Sequence, residues 1–255
     1  MSGARTLAID IGGTGIKAAV LDPLGQMIGE RRRLPTPPKP VSPEALIAAL
    51  DEAIAELGPF DRVSVGFPGY VRDGHIVTAP HLGTESLAGF DLQTALARHW
   101  DKPVRVLNDA DVQGYGAIRG RGIEMVLTLG TGAGTALFRD GELMPHLELA
   151  HHPIRGKKTY DEYVGKAARD RKGRKAWNRR VQRVIAVLRE LVRFDHLYIG
   201  GGNTADLDFP LPPDVTIVPN TDGLTGGIRL WEPAPHPPAS RPEEPPPLSA
   251  GDTGG

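Results

Sequence analysis

Apolar residues fall in short runs along this chain, and several of these runs end in glycine rather than in a helix start. Thr6 to Ile9 read as a buried strand, Gly12, Gly13 and Gly15 let the chain turn, and Gly15 to Leu21 resume an extended run. The pattern recurs at Leu127-Thr-Leu-Gly-Thr-Gly-Ala-Gly-Thr-Ala-Leu-Phe138: apolar strand, glycine and threonine loop, second apolar strand. A tight turn at Asp140-Gly141 then matches Asp22 to Gly25 of the first copy. Two strand-loop-strand units predict an internally duplicated α/β chain.

Between the two units, Leu34 to Pro40 carry four prolines and predict an extended loop. Ser42-Pro43 caps a helix whose apolar face is Leu46, Ile47, Leu50, Ile54 and Leu57, ended by Gly58-Pro59. A strand over 61–67, a helix over 92–100 and a strand from Val104 to Leu107 complete a first lobe, 1–107. The second lobe, 108–231, repeats the order, with a long amphipathic helix from Trp177 to Val192 and a strand from Leu197 into Gly200, Gly201 and Gly202. Residues 232–255 are rich in proline and end in glycine, a composition that predicts a disordered tail.

Candidate chemistry sits at the strand ends. Asp10 puts a carboxylate at the end of a strand and is followed by the bare amides of Gly12, Gly13 and Thr14, with Lys17 beyond, which suits a phosphate and its metal ion. No helix follows this loop, so it is neither a Walker-type loop nor a dinucleotide fingerprint. Gly130, Thr131 and Gly132 are its counterpart. Asn108-Asp109 at a strand end can grip a hydroxyl and accept its proton, or cap the helix that follows. Glu148 and His151, three residues apart, can share one side of a helical turn.

Composition sets limits. At 255 residues and 40% hydrophobic residues the chain is long enough for two compact lobes. It holds no cysteine, which rules out disulfides and thiolate zinc sites. The first apolar run is short and broken by Asp10, so neither a signal peptide nor a membrane span is expected and the protein reads as cytoplasmic. Only 5% of residues are aromatic, and no basic-aromatic alternation points to nucleic acid. Net charge is -1, yet the segment from Arg155 to Arg183 concentrates cations, among them Lys172, Arg174 and Lys175. Such a stripe suits either a solvated helix face or a long polyanion.

Taken together, these motifs resemble the sugar kinase, actin and heat-shock ATPase superfamily and, within it, the ROK family of sugar kinases and repressors. The resemblance implies a two-lobed actin-like, ribonuclease H-like fold. It implies Asp109 as general base, and Asn108, Glu148, His151 and Glu162 as sugar ligands. It further implies donor-holding loops at Gly12 to Thr14, Gly130 to Gly132 and Gly200 to Gly202, and Mg²⁺ near Asp10, held directly or through water. Gly223-Leu-Thr-Gly-Gly227 resembles the start of the family's last helix, which packs back on the first lobe. Lack of cysteine, Gly66-Phe-Pro-Gly69 and Val71-Arg-Asp-Gly74 resemble the polyphosphate glucokinase branch. The implied reaction is transfer from inorganic polyphosphate, with ATP as a second donor, to the 6-hydroxyl of glucose, with Lys172, Arg174 and Lys175 as part of a polyphosphate track. An ATP-only hexokinase or N-acyl-amino-sugar kinase would use the same residues, and a homodimer is compatible with either. A non-catalytic sugar sensor would need neither Asp109 nor a donor site, and its DNA-binding segment is not expected where the first strand begins so near Met1.

Overall fold

The computed structural model describes residues 3–219 and 222–232, so residues 233–255 of the expected disordered tail lie outside the described residues. Strands β1 (Thr6–Ile11), β2 (Ile16–Leu21) and β3 (Met27–Leu34) form an antiparallel meander. Then come α1 (Pro43–Ile54), β4 (Arg62–Phe67), α2 (Leu92–Trp100) and β5 (Val104–Asn108), with β4 and β5 parallel to β1. The sheet order is β3-β2-β1-β4-β5. Helix α3 (Asp109–Ala117) leads into β6 (Ile123–Leu129), β7 (Ala133–Arg139) and β8 (Glu142–Leu143). Helices α4 (Tyr160–Val164), α5 (Lys166–Lys172) and α6 (Arg174–Val192) precede β9 (His196–Gly200) and β10 (Val215–Ile217). This second sheet runs β8-β7-β6-β9-β10, the order of the first, with the same parallel and antiparallel pairs. The duplication read from the two glycine loops is therefore a duplication of whole sheets.

Strand periodicity divides each sheet into two faces. On one side of β1, Leu7, Ile9 and Ile11 join Leu46 and Leu50 of α1 and Leu92 and Leu96 of α2 in the first core. On the other side Ala8 meets Ala19, Leu224 and Ile228. Ser42 caps α1, its Oγ accepting from the Ala45 amide at 3.2 Å, and the helix stops at Ile54; Leu57 still packs on the core from the loop beyond. In the second sheet Met125, Leu127 and Leu129 pack on Trp177, Val181 and Leu188 of α6, while Val126, Ala136 and Phe138 face Ala110 and Ile118. That second face brings α3 between the two sheets. β3 is not among the predicted strands because its exposed run Glu30 to Arg33 has no apolar face, as suits a sheet edge.

The chain closes by returning to the first sheet. The last helix is a single turn, α7 (Asp222–Thr225), continued by a 3-10 segment (Gly226–Trp231) on the inner face of β1 and β4. Ser64 Oγ donates to the Gly227 carbonyl at 2.6 Å and accepts from Trp231 Nε1 at 2.8 Å. The guanidinium groups of Arg62 and Arg105 stand 5.2 and 4.5 Å from the Trp231 ring centroid. Gly226 is required here, because a Cβ would overlap the Val112 carbonyl of α3.

Candidate active site

Asn108 ends β5 and caps α3. Its Oδ1 accepts from the Ala110 amide at 2.9 Å and its Nδ2 donates to the Gly69 carbonyl at 2.9 Å. Of the two roles open to this residue in the sequence, its amide carries out the cap, and the cap in turn sets the direction of Asp109. The Asp109 carboxylate also accepts from the Ala110 amide, at 2.8 Å, and lies at the floor of a cleft of about 340 Å³ between the two glycine loops. Burial, reinforced by the nearby negative charge of Asp10, pushes its pKa up to about 7, with Asp111 and Glu148 adding to the rise. A carboxyl poised near neutrality is suited to take up a proton during a reaction.

The two glycine loops border the cleft with groups suited to a phosphate chain. Asp10 ends β1 with its carboxylate 2.7 Å from Lys17 Nζ. The first loop is closed by the Gly12 amide on the Gly15 carbonyl at 2.9 Å, the second by the Gly130 amide on the Gly132 carbonyl at 3.0 Å. Gly12, Gly13, Thr14, Gly130, Thr131 and Gly132 all line the cleft, as do Gly201 and Gly202. Gly200 does not. A Cβ there would overlap the Gln113 side-chain amide, so this glycine makes room for Gln113 rather than for a donor. Among the described residues no cluster of three or more His, Asp or Glu could hold a metal alone. The Asp10 carboxylate beside a phosphate site suits Mg²⁺, which binds through one or two carboxylates and the phosphates themselves.

Glu148 and His151, joined by a 3-10 turn (Leu149–His151), line the same cleft, as does His81, which lies against Gly13 of the first loop. Behind Glu148 lies His146. Both Asp111 carboxylate oxygens are 3.2 Å from its Nδ1, its Nε2 is 3.7 Å from Glu148, and Tyr70 stacks on its ring at 5.4 Å. Burial would depress this imidazole, but Asp111 and Glu148 outweigh it and raise its pKa to about 9. Glu148 is in turn held below its ordinary value, chiefly by His146. Glu162 is outside the cleft: its carboxylate accepts from the Thr159 amide at 3.1 Å in a capping box on α4. Its neighbour Asp161 lines the cleft instead and accepts from the Ala133 amide at 2.7 Å.

The basic segment does not line the cleft. Arg174 Nε donates to the Asp206 carbonyl at 3.0 Å, and Arg174 and Lys175 edge a separate hollow with Asp208 and Phe209. Lys172 is exposed at the end of α5. A second hollow is lined by Arg155, Tyr163, Arg179, Arg180 and Arg183. Sequence reading missed Asp111, Gln113 and His146. Asp111 and Gln113 were visible only as the continuation of Asn108-Asp109 at helical spacing, and no motif joins Asp111 to His146, 35 residues away.

Two sheets of one topology, closing on a partly buried carboxylate flanked by two amide-rich loops, define a phosphotransferase of the actin-like, ribonuclease H-like class. Residues 6–148 match the ROK family, and the chain belongs to it. It is 32% identical to the polyphosphate glucokinase of Mycobacterium tuberculosis (strain ATCC 25618 / H37Rv) over 86% of this chain and 88% of that protein. N-acetylmannosamine kinase of Escherichia coli O157:H7 is 37% identical over 54% of this chain and 49% of its own length. Among solved structures, inorganic polyphosphate/ATP-glucomannokinase from Arthrobacter sp. strain KM superposes with a TM-score of 0.80 at 32% identity, covering 89% of this chain and 98% of that one. A ROK family glucokinase from Streptomyces griseus, in complex with glucose and AMPPNP, shares the fold at a TM-score of 0.73 and 20% identity, over 89% of this chain and 98% of that one. Among the described residues no helix is long and apolar enough to cross a membrane.

Proposed function

We propose that this protein phosphorylates the 6-hydroxyl of glucose, with inorganic polyphosphate as donor and ATP as a second one. The observation that carries the reading is that Asp109, with a pKa near 7, shares one cleft with Glu148 and His151 and with the bare amides of the two glycine loops. Glu148 and His151 hold the sugar ring. Asn108 keeps Asp109 aimed at the hydroxyl. The Gly12 to Thr14 and Gly130 to Gly132 loops, with Lys17, hold the donor phosphates.

Asp109 removes the hydroxyl proton as the sugar oxygen forms its bond to the terminal phosphorus. The bond from that phosphorus to the bridging oxygen breaks, and the shortened polyphosphate, or ADP, leaves with the electron pair. Asp10, together with the donor, would hold Mg²⁺, and the ion would supply neutralisation of the charge that develops on the phosphate oxygens. Closure of the lobes around α3 excludes water, which otherwise competes with the sugar as acceptor.

The polyphosphate assignment rests on the relatives at about 32% identity and on the cation-rich segment outside the cleft. Glucose, mannose, N-acetylmannosamine and N-acetylglucosamine crossed with ATP and polyphosphate, with the sugar phosphate detected directly, test the reading. Transfer to glucose from polyphosphate is the expected result. Transfer from ATP alone, or to an N-acyl-amino sugar in preference to glucose, would replace it with that activity.

A further inference from the structure

Gln113 is the buried polar side chain that the fold itself leaves unsatisfied. It is 6% exposed, and among the described residues its Nε2 is the buried side-chain nitrogen or oxygen without a hydrogen-bond partner. Its neighbours in the cleft are accounted for. Thr128 Oγ1 accepts from the Gly134 amide at 3.1 Å, and Asn203 Nδ2 donates to the Gly130 carbonyl at 2.7 Å. Asn108 has both ends of its amide bonded, Oδ1 to the Ala110 amide and Nδ2 to the Gly69 carbonyl. Room for the Gln113 amide is made by Gly200, which has no Cβ to fill it. An unmet amide inside a fold weakens it, so an orphan of this kind at the wall of a cleft points to a partner that arrives from outside.

Position along α3 says which partner. Gln113 follows Asp109 by four residues, one helical turn, so the two side chains share a face about 5–6 Å apart along the axis. A base lies roughly 2.6–3.2 Å from the hydroxyl it deprotonates. The attacked phosphorus lies about 3–3.5 Å beyond that oxygen. A phosphoryl group receiving the sugar oxygen at Asp109 therefore lies about one helical turn from that carboxylate, the spacing at which Gln113 borders the same cleft as Gly130 to Gly134.

We propose that Gln113 is a binding residue for the transferring phosphoryl group, its Nε2–H donating to a non-bridging oxygen of the terminal phosphate. The inference rests on the phosphotransferase reading of the cleft and assigns a hydrogen-bond donor that the glycine loops do not supply. The amide acts on a group common to polyphosphate and ATP, so its contribution is the same for both. It carries no charge and is independent of the sugar.

Gln113→Met keeps the volume and removes the donor, and Gln113→Glu keeps the shape but sets a carboxylate against the phosphate. For Gln113→Met, kcat with either donor falls about 10²-fold, the scale of one lost oxyanion donor. The glucose Kd by calorimetry stays within about twofold, and Tm without ligand is equal or higher because the orphan is gone. Gln113→Glu loses more activity than Gln113→Met. In wild-type protein, tripolyphosphate and Mg²⁺ raise Tm, and the rise is smaller in both variants. A Gln113→Met protein with near-wild-type kcat, or one that melts several degrees lower, overturns the proposal: the amide then has no phosphate to bind, or serves packing. If Gln113→Met does not fold, the wild-type side-chain amide resonances decide, those of Gln113 being the pair absent in Gln113→Glu, and no change on adding tripolyphosphate and Mg²⁺ overturns it. Wild-type protein that transfers no phosphoryl group to any sugar, yet shows the tripolyphosphate shift through Gln113, would fault the sugar kinase reading and leave the phosphate contact standing.

Discussion

His146 faces both oxygens of Asp111 at 3.2 Å while its other nitrogen looks toward Glu148 at 3.7 Å, so one imidazolium ties the helix of the proposed base to the carboxylate proposed to hold the sugar. The side chains of His146 and Asp111 are 8% and 5% exposed. Removing the cation leaves the buried Asp111 carboxylate unpaired, which costs about 3–5 kcal/mol when a buried pair is broken, while Glu148, 32% exposed, keeps access to water. His146→Gln is expected to lower Tm and raise the glucose KM. The folded pKa, about 9, lies above the ordinary 6.5, so the stabilisation is full below pH 6.5 and is lost as pH rises through 9. Melting of both proteins from pH 6 to 9.5 checks this; a constant difference across the range would refute the charge.

Asp109→Asn is expected to lose on the order of 10²-fold or more in kcat, while glucose binding by calorimetry is preserved, since the amide keeps the shape but accepts no proton. Burial that raises the pKa of a carboxyl penalises the fold once the group ionises. The penalty begins near pH 4, grows toward 7 and then levels. Asp109→Asn therefore melts higher than wild type, with a margin that widens from pH 4 to pH 7. For the wild type, kcat/KM should rise with pH on a limb near 7. A kcat close to wild type would remove Asp109 from the proposed role of base.

Glu148→Gln and His151→Ala are expected to act on recognition, since both residues are proposed to hold the sugar. Each leaves a sugar hydroxyl less well paired, at about 1–3 kcal/mol, and is expected to raise the KM for glucose more than it lowers kcat. Steady-state kinetics over the sugar panel decide, and unchanged constants for every accepted sugar would place the sugar elsewhere in the cleft.

Lys172 and Lys175 can be neutralised without touching Arg174, whose guanidinium holds the Asp206 carbonyl. If a long polyphosphate runs from the cleft over this segment, Lys172→Gln with Lys175→Gln raises the KM for long chains and leaves that for ATP unchanged. Added salt reproduces the effect in wild type through counterion release. Equal effects on both donors would return these lysines to a solvated helix face.

Trp231→Ala tests the return of the chain to the first sheet. The variant loses the hydrogen bond to Ser64 and the contacts with Arg62 and Arg105, and about 3 kcal/mol of stability is expected to go with them. Because Leu224, Ile228 and Trp231 join the last segment to β1 and β4, susceptibility to proteolysis after Val218 should rise in parallel with the loss in Tm.

Local features carried much of this protein in the sequence. Glycine loops are legible because positions such as Gly13 and Gly132, where a Cβ would overlap His81 and Asp161, admit no larger residue, and the strands beside them because burial on both faces leaves uninterrupted apolar runs such as Leu7 to Ile9. Ser42 and Asp91 cap their helices by bonds that close within three residues, so α1 and α2 start where the pattern predicts. Asp10, Asp109, Glu148 and His151 stood out for the same reason: each sits in or beside a short motif, and the structure brings all four into one cleft. What depends on distant partners was not legible. Glu162 and Asp161 are neighbours in a helical turn, and only the way α4 docks on the Gly132 loop sends Asp161 into the cleft and leaves Glu162 as a cap. Gly200 read as a donor glycine until the fold placed Gln113 in the space its side chain would fill. The Asp111 and His146 pair, the orphaned Gln113 amide and the shifted pKa of Asp109 all arise from desolvation between two sheets. Desolvation is a property of what surrounds a side chain, and the surroundings exist only once the chain has folded.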